Sequence, residues 1–214
     1  PFVVSRLGDY SFEYGRACER QEARLRLGLG ARSLVFAHVS TPQHQSDPTE
    51  ILKAFRRQAL GDAVILLAGQ GMTGFARTGD GGRVVEYGRT TPSCMRDVFC
   101  AADFVVDSAD QRMTSRIVRT AMSYSRPVLA RAYGATIDMA RGAAITIDDD
   151  PGGVDRAMIK ACALTSDERR LLERAAAQRS RERSWRDVGR SCVRFYDDLR
   201  ASQDTRTQAP NLCS

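Results

Sequence analysis

Three short stretches of this chain carry residue types that can do chemistry, and each lies just beyond an apolar run. Gly69-Gln70-Gly71 follows Ala63 to Ala68 directly. Glycines there let a phosphate approach the backbone amides closely, and the same residues also make a simple tight turn. Gly88-Arg89-Thr90 follows Arg83 to Tyr87. Arg89 suits pairing with a phosphate, stacking on a base, or plain solvation at a surface. Met113-Thr114-Ser115 opens a helical stretch, whose free first amides and dipole favour an anion; Thr114 is equally a good N-cap in its own right. Asp107 and Asp110, in the loop before it, are candidate bases or hydroxyl acceptors, or solvated loop aspartates. No Walker A lysine, nucleophile elbow or paired-histidine motif occurs.

The elements that must position these stretches alternate along the chain. Leu34 to Val39 reads as a buried strand, followed by a helix to about Leu60. That helix is expected to have Asp47 as its cap, Pro48 at its first position and Glu50 completing a capping box. Further strands are read at Ala63–Ala68, Arg83–Tyr87, Asp103–Val106, Pro127–Ala130 and Ala143–Ile147. Helices separate them: from Thr91-Pro92 to about Ala101, from Thr114 to about Tyr124, and a short one near Ile137–Ala140. Asp150-Pro151 is expected to cap a helix to about Ala163, and Thr165 with Glu168 to form the capping box of an Arg-rich helix over 166–181. The last helix starts at Ser184, with Trp185, Val188, Cys192, Phe195 and Leu199 recurring on one face.

Strand–helix alternation with apolar strand runs implies an α/β, doubly wound, Rossmann-like parallel sheet of about six strands with a helical C-terminus. Residues 1–32 read as a linker, with Phe2-Val3-Val4 as a short strand and a helical stretch from Cys18 to Leu27 stopped by Gly28 and Gly30. Residues 33–200 are then a Rossmann-like binding domain, and 201–214 a polar, flexible tail. In such sheets ligands sit beyond the carboxyl ends of the strands, which places the loops 40–46, 69–74, 88–91, 107–113 and 131–135 at the site.

Composition bounds what this fold can be doing. The chain has 214 residues and a formal net charge of +6, with 43% hydrophobic and 27% charged residues. That suits one domain, or two small ones, with a sizeable core. The positive charge is almost all arginine, 30 against two lysines. This ratio reads as compositional background or as an anionic partner. Charge alone does not single out a nucleic acid. The longest strongly apolar run, Val64 to Ala68, is far short of the roughly 20 residues a membrane helix needs, and no signal-peptide core follows the N-terminus. Six cysteines without a CxxC pair, beside two histidines, lack zinc spacing; scattered thiols of this kind suit a cytoplasmic protein.

At this point the sequence resembles a family, the retaining GT-B glycosyltransferases of group 1. Ile51 to Gln58, ILKAFRRQ, resembles the family's "LLxAF" helix, and VILLAGQG over Val64 to Gly71 resembles "LxLVGxG". Val85 to Ala130 supplies EYGRT, MRDVFCAADFVVDS and TSRIVRTAMSYSRPVLA, similar to "FxGxV…LxxLYxAADVFVxPS…EAMAxGxPVVA" and, at Thr114-Ser115, to the subgroup pattern "TSGSxxxALxxGxPVIAP". Ser184-Trp185 resembles the closing "FSW". The resemblance covers roughly residues 10–200. It implies the donor-binding, C-terminal half of a two-domain enzyme. That enzyme would transfer a sugar from a nucleotide-diphosphate sugar with retention, and no cofactor or metal is implied. The acceptor-binding N-terminal domain, or a partner chain standing in for it, would lie outside this chain, and the chain alone would be inactive. The last helix, which in the family crosses to that domain, would then be available for a homodimer. The Arg-rich helix offers either a peripheral membrane contact or a solvated face.

The departures from the family are specific. The Arg and Lys that follow the first strand there fall at Ser40 and Gln43. The two glutamates of its E-x7-E element, for donor sugar and ribose, fall at Arg112 and Thr120. The glycine after "TS" is Arg116, whose side chain would crowd the phosphate amides. Arg89, Arg112 or Arg116 would have to replace the lost cations. Losing several charge-assisted contacts at ~1.5–3 kcal/mol each would otherwise weaken donor binding by orders of magnitude. The site residues expected are thus Ser40, Gln43, Gly69, Gln70, Gly71, Gly88, Arg89, Met113, Thr114, Ser115 and Arg116 for the nucleotide and phosphates, with Arg112 and Thr120 for sugar or ribose. Two alternatives stand beside the enzyme: a non-catalytic glycosyltransferase-like partner or scaffold domain, and an unrelated doubly wound nucleotide-binding domain. A regulatory receiver domain is disfavoured, since no acidic cluster follows the first strand.

Overall fold

A computed structural model describes residues 8–30, 33–41, 46–58, 60–88, 90–108, 115–182 and 184–207. Two helices precede the sheet, α1 (Ser11–Tyr14) and α2 (Arg20–Arg26), and Gly28, at φ +63°, ends the second as its spacing predicts. Then β1 (Val35–Ser40), α3 (Thr49–Arg57), β2 (Val64–Gly69), β3 (Val84–Tyr87), α4 (Pro92–Ala101) and β4 (Phe104–Asp107) follow. The second half runs α5 (Arg116–Ser123), β5 (Val128–Arg131), α6 (Gly134–Ala140), β6 (Ala144–Ile147), α7 (Gly153–Ala163), α8 (Ser166–Arg181) and α9 (Trp185–Thr207).

All six strands are parallel, in the order β3-β2-β1-β4-β5-β6. The chain builds outward from β1 to β3, then returns to lay β4 on the other side of β1. Such a reversal opens a crevice at the carboxyl ends of the strands where the order switches. Because both faces are covered, the central strands are buried throughout and largely apolar, with His38, Ser40 and Asp107 as buried polar exceptions. Alternate side chains feed two cores. Val35, Ala37, Leu66 and Val105 face Ala23 of α2, Phe99 of α4 and Met122 of α5. Phe36, Ile65, Leu67 and Phe104 face Phe55 of α3 and Met158 of α7. The expected linker is therefore part of the packed body from Ala23 to Leu29, both buried.

Several boundaries differ from expectation, each for a local reason. Pro48 is the N-cap of α3, not its first residue, because the Asp47 carboxylate takes the Thr49 amide at 2.9 Å and leaves Pro48 inside that turn. Glu50 does not close a capping box; Arg131 at the end of β5 draws its carboxylate away, at 2.9 and 3.0 Å. The helix stops at Arg57 rather than near Leu60. Asp150 likewise caps the Gly152 amide at 2.8 Å, and α7 begins only at Gly153. The α8 capping box is present as predicted, with Glu168 accepting from the Thr165 amide at 2.8 Å. Helix α9 continues to Thr207, into the stretch expected as a tail. Four members of its predicted stripe, Val188, Cys192, Phe195 and Leu199, are partly buried and Trp185 is exposed; Val193 and Tyr196, outside the stripe, are exposed as well. The proposed strand at Phe2-Val3-Val4 lies outside the described residues. Among the described residues no helix is long and apolar enough to cross a membrane.

Candidate functional site

A cavity of about 860 Å³ opens beyond the carboxyl ends of β1, β2 and β3. This is within the size range of small-molecule sites, roughly 300–1,000 Å³. Ser40 and Thr41 at the end of β1 form one wall. Gly69, Gln70, Gly71 and Thr73 follow β2, and Gly88 and Thr90 follow β3. Pro92 and Met95 of α4 close one side, and Glu13 and Tyr14 of α1 close the other.

The glycine turn is dictated by close approach. Gly69 pairs in register with Ser40, has φ +114°, and would place a Cβ 1.8 Å from the Ser40 carbonyl oxygen. The Met72 amide donates to the Gly69 carbonyl at 3.2 Å, closing a β-turn with Gly71 at φ +79° in its third position. That position demands a positive φ in a type II turn, which glycine supplies. Gly88 has no room for a side chain either, since a Cβ would lie 2.4 Å from the Thr73 methyl. The segment beyond the turn is fastened from two directions. Glu86 of β3 accepts from the amides of Gly74, Phe75 and Ala76 at 3.0, 2.6 and 2.6 Å. Arg56 of α3 donates to the Phe75 carbonyl at 2.6 Å and to both oxygens of Asp80 at 2.8 and 2.7 Å. This guanidinium holds the Asp80 carboxyl at about 2, below the usual carboxylate range.

Tyr14 faces the same cavity. Burial, and then the neighbouring Glu13 carboxylate, push its phenol up to about 12, so it stays a neutral hydrogen-bond donor at physiological pH.

The adjoining edge, at β4 and α5, is arranged differently. Ser115 caps α5, its hydroxyl accepting from the Val118 amide at 3.2 Å and donating a short bond to Asp107. The N-cap is thus Ser115, one residue later than the Thr114 expected. Arg116, in the first turn, does not crowd the helix amides. It pairs with Glu13 of α1 and lies over the Tyr10 ring, 5.3 Å from its centroid. Thr120 is buried and donates its hydroxyl to the Arg116 carbonyl at 2.9 Å, so it is turned away from the cavity. Arg131, the other described arginine ending a strand at this edge, is bound to Ser108, Glu50 and Asp149.

Of the residues expected from sequence, the cavity brings together Ser40, Gly69, Gln70, Gly71 and Gly88. Ser115 and Arg116 stand beside it, behind Glu13 in the case of Arg116. Gln43, Arg89, Arg112, Met113 and Thr114, with Asp110, lie outside the described residues. Missed altogether were Glu13 and Tyr14, which reach the site from ahead of β1, and Glu86, which shapes it from behind.

No protein-family model matches the sequence, and no curated protein matches it. Solved structures do match. A glycosyltransferase from Rickettsia africae aligns with TM-score 0.73 at 11% identity, over 92% of this chain and 57% of its own. Anabaena HepE in complex with UDP-glucose aligns with TM-score 0.71 at 16% identity, over 92% and 57%. Sucrose-phosphate synthase from Thermosynechococcus elongatus aligns with TM-score 0.67 at 17% identity, over 87% and 50%. The fold is one shared by glycosyltransferases. This chain spans about half the length of the structures it matches. At such identity the likeness carries the fold alone; side-chain chemistry is not carried over.

Proposed function

We propose that this chain is the donor-binding half of a retaining glycosyltransferase, and that the cavity beyond β1–β3 takes the nucleoside diphosphate of a nucleotide sugar. The observation that carries the reading is the glycine turn at Gly69–Gly71. It sits in a ligand-sized cavity at the carboxyl edge of a sheet whose order reverses beside it. A related fold solved with UDP-glucose supports the same ligand class. Hydroxyls of Ser40, Thr41, Thr73 and Thr90 and the neutral Tyr14 suit a polar, hydrogen-bonding ligand. Arg116, paired with the cavity-lining Glu13, is the cation we assign to neutralise a pyrophosphate leaving group. Sugar transfer then requires a second, acceptor-binding domain, so this chain alone gives no turnover.

Calorimetry of the chain with UDP, GDP and ADP tests the reading. At least one should bind, and Thr90→Trp, which fills the cavity from a half-buried position, should weaken it more than about tenfold. No heat at millimolar nucleotide, or an unchanged affinity in Thr90→Trp, would overturn the site. A second reading, a non-catalytic partner domain, is favoured by one observation: both described arginines at this edge already have carboxylate partners.

A further inference from the structure

We infer that Glu13 is a resident counter-anion for Arg116, occupying the place of a nucleoside diphosphate, so that ligand and Glu13 compete for one guanidinium. The inference rests on the reading of the cavity as a nucleoside-diphosphate site.

The two arginines at the carboxyl edge are held in different ways. Arg131 has a side chain only 12% exposed and is fixed by two backbone carbonyls and two carboxylates. Arg116 is 38% exposed and its one carboxylate partner among the described residues is Glu13. Glu13 itself is held unevenly: Oε1 takes Arg116, while Oε2 is buried with no partner at good hydrogen-bond geometry, the Tyr14 phenol being the donor beside this carboxylate. A buried carboxylate oxygen without a well-placed donor makes the bond a compromise, since its desolvation is only partly compensated. Glu13 also lines the cavity, so the pair stands at its margin. A diphosphate brings more negative charge and more acceptor oxygens than one carboxylate, and guanidinium binds phosphate bidentately. Exchange of Glu13 for diphosphate on Arg116 is therefore favourable once a nucleotide occupies the cavity.

The exchange has a built-in reporter. Arg116 lies over Tyr10, and Tyr10 packs edge-on against Trp185 with centroids 5.5 Å apart. Trp185 is the only tryptophan of the chain and the first residue of α9. Releasing Glu13 loosens α1 and alters the surroundings of Trp185.

The full chain is titrated with UDP, GDP and ADP, reading heat and Trp185 emission together, as wild type, Glu13→Gln, Arg116→Gln and Arg116→Lys. Glu13→Gln should tighten binding about three- to tenfold, because the competing charge is gone. Its ligand-free Trp185 emission should already lie near that of the ligand-bound wild type. Arg116→Gln should weaken binding by about tenfold or more, and Arg116→Lys by clearly less than Gln, because it keeps the cation while losing the bidentate fork. If nucleotide binds wild type but Glu13→Gln leaves the affinity unchanged or weakens it, the inference fails and the site reading stands. Equal losses for Gln and Lys at 116 would mean a packing role over Tyr10, and also overturn it. No heat with any nucleotide in any of the four proteins overturns the site reading and this inference with it.

Discussion

The two edges of this sheet are both polar, and they use polarity in opposite ways. At the amino edge, Asp103 just before β4 accepts from the Val35 amide at 2.7 Å and pairs with Arg24 at 2.6 Å and Arg20 at 3.2 Å. Arg24 also donates to the Ala101 carbonyl at 3.0 Å, and Glu173 of α8 pairs with Arg20 and Arg126. A groove of about 470 Å³ is present there, but arginine and acid alternate around it. At the carboxyl edge the cavity is nearly twice as large and its lining is mostly glycine backbone, hydroxyl, amide and phenol, with Glu13 its one charged side chain among the described residues. The amino edge spends its charges on itself and welds α2 and α8 to the sheet. The carboxyl edge spends its charges on shaping loops and lines its cavity mostly with neutral polar groups.

If that contrast is right, breaking one edge should cost folding and breaking the other should cost binding. The largest effect is expected for Asp103→Asn. Arg24 and Asp103 have side chains only 5% and 11% exposed, and removing one charge strands the other. A loss of about 3–5 kcal/mol is expected in urea denaturation, with nucleotide affinity of the folded fraction unchanged. An affinity change above about threefold would show the edges to be coupled, since sites this well separated normally act independently. Next comes Gly69→Ala, the carboxyl-edge change that should cost both. Its Cβ would meet the Ser40 carbonyl at 1.8 Å, so β1 and β2 must part at their ends. About 3 kcal/mol is expected, against about 1–2 for Gly71→Ala, whose positive φ is strained but whose Cβ meets nothing within 4 Å. Equal losses at the two glycines would mean that backbone conformation, not close approach, sets the cost.

How much of this was legible beforehand follows from how local each cause is. The strands were readable because a parallel strand covered on both faces is an unbroken apolar run, as in Val64 to Ala68. The α8 capping box was readable because Thr165 and Glu168 are sequence neighbours whose side chains bond each other and each other's amides. The start of α3 was misread because Glu50 has a better partner in Arg131, 81 positions away. The glycine turn was visible as a motif, yet its necessity at Gly69 lies in the approach of Ser40 from another strand. Glu13 and Tyr14 carried no signal at all: a four-residue helix far ahead of the motifs reaches the cavity only through the tertiary fold. Arg116 was marked as a cation at the ligand edge, but its partner stands 103 positions earlier, and spacing cannot supply that.

The smallest expected effect separates the edges by pH. Asp80 sits in the 3-10 turn Thr78–Asp80, buried, and accepts from Arg56 and from the Arg77 amide at 2.7 Å. Its carboxyl is held at about 2 against an ordinary value of 3.8. A carboxyl whose pKa is lower folded than unfolded stabilises the fold above its unfolded value. That contribution is complete above about pH 4 and is lost as the pH falls toward 2. The contribution is on the order of 1–2 kcal/mol, and it is local, because Arg56 also ties down the Phe75 carbonyl. Hydrogen exchange between pH 5 and 2, corrected for intrinsic rates, should therefore show the Arg77 amide losing protection while the Val35 amide at the amino edge is still protected. Asp80→Asn should abolish that difference by giving the Arg77 amide its low-pH behaviour already at pH 5. Simultaneous loss at both amides in the wild type would mean that the loop over the cavity opens only with the whole sheet, and that the two edges are one cooperative unit.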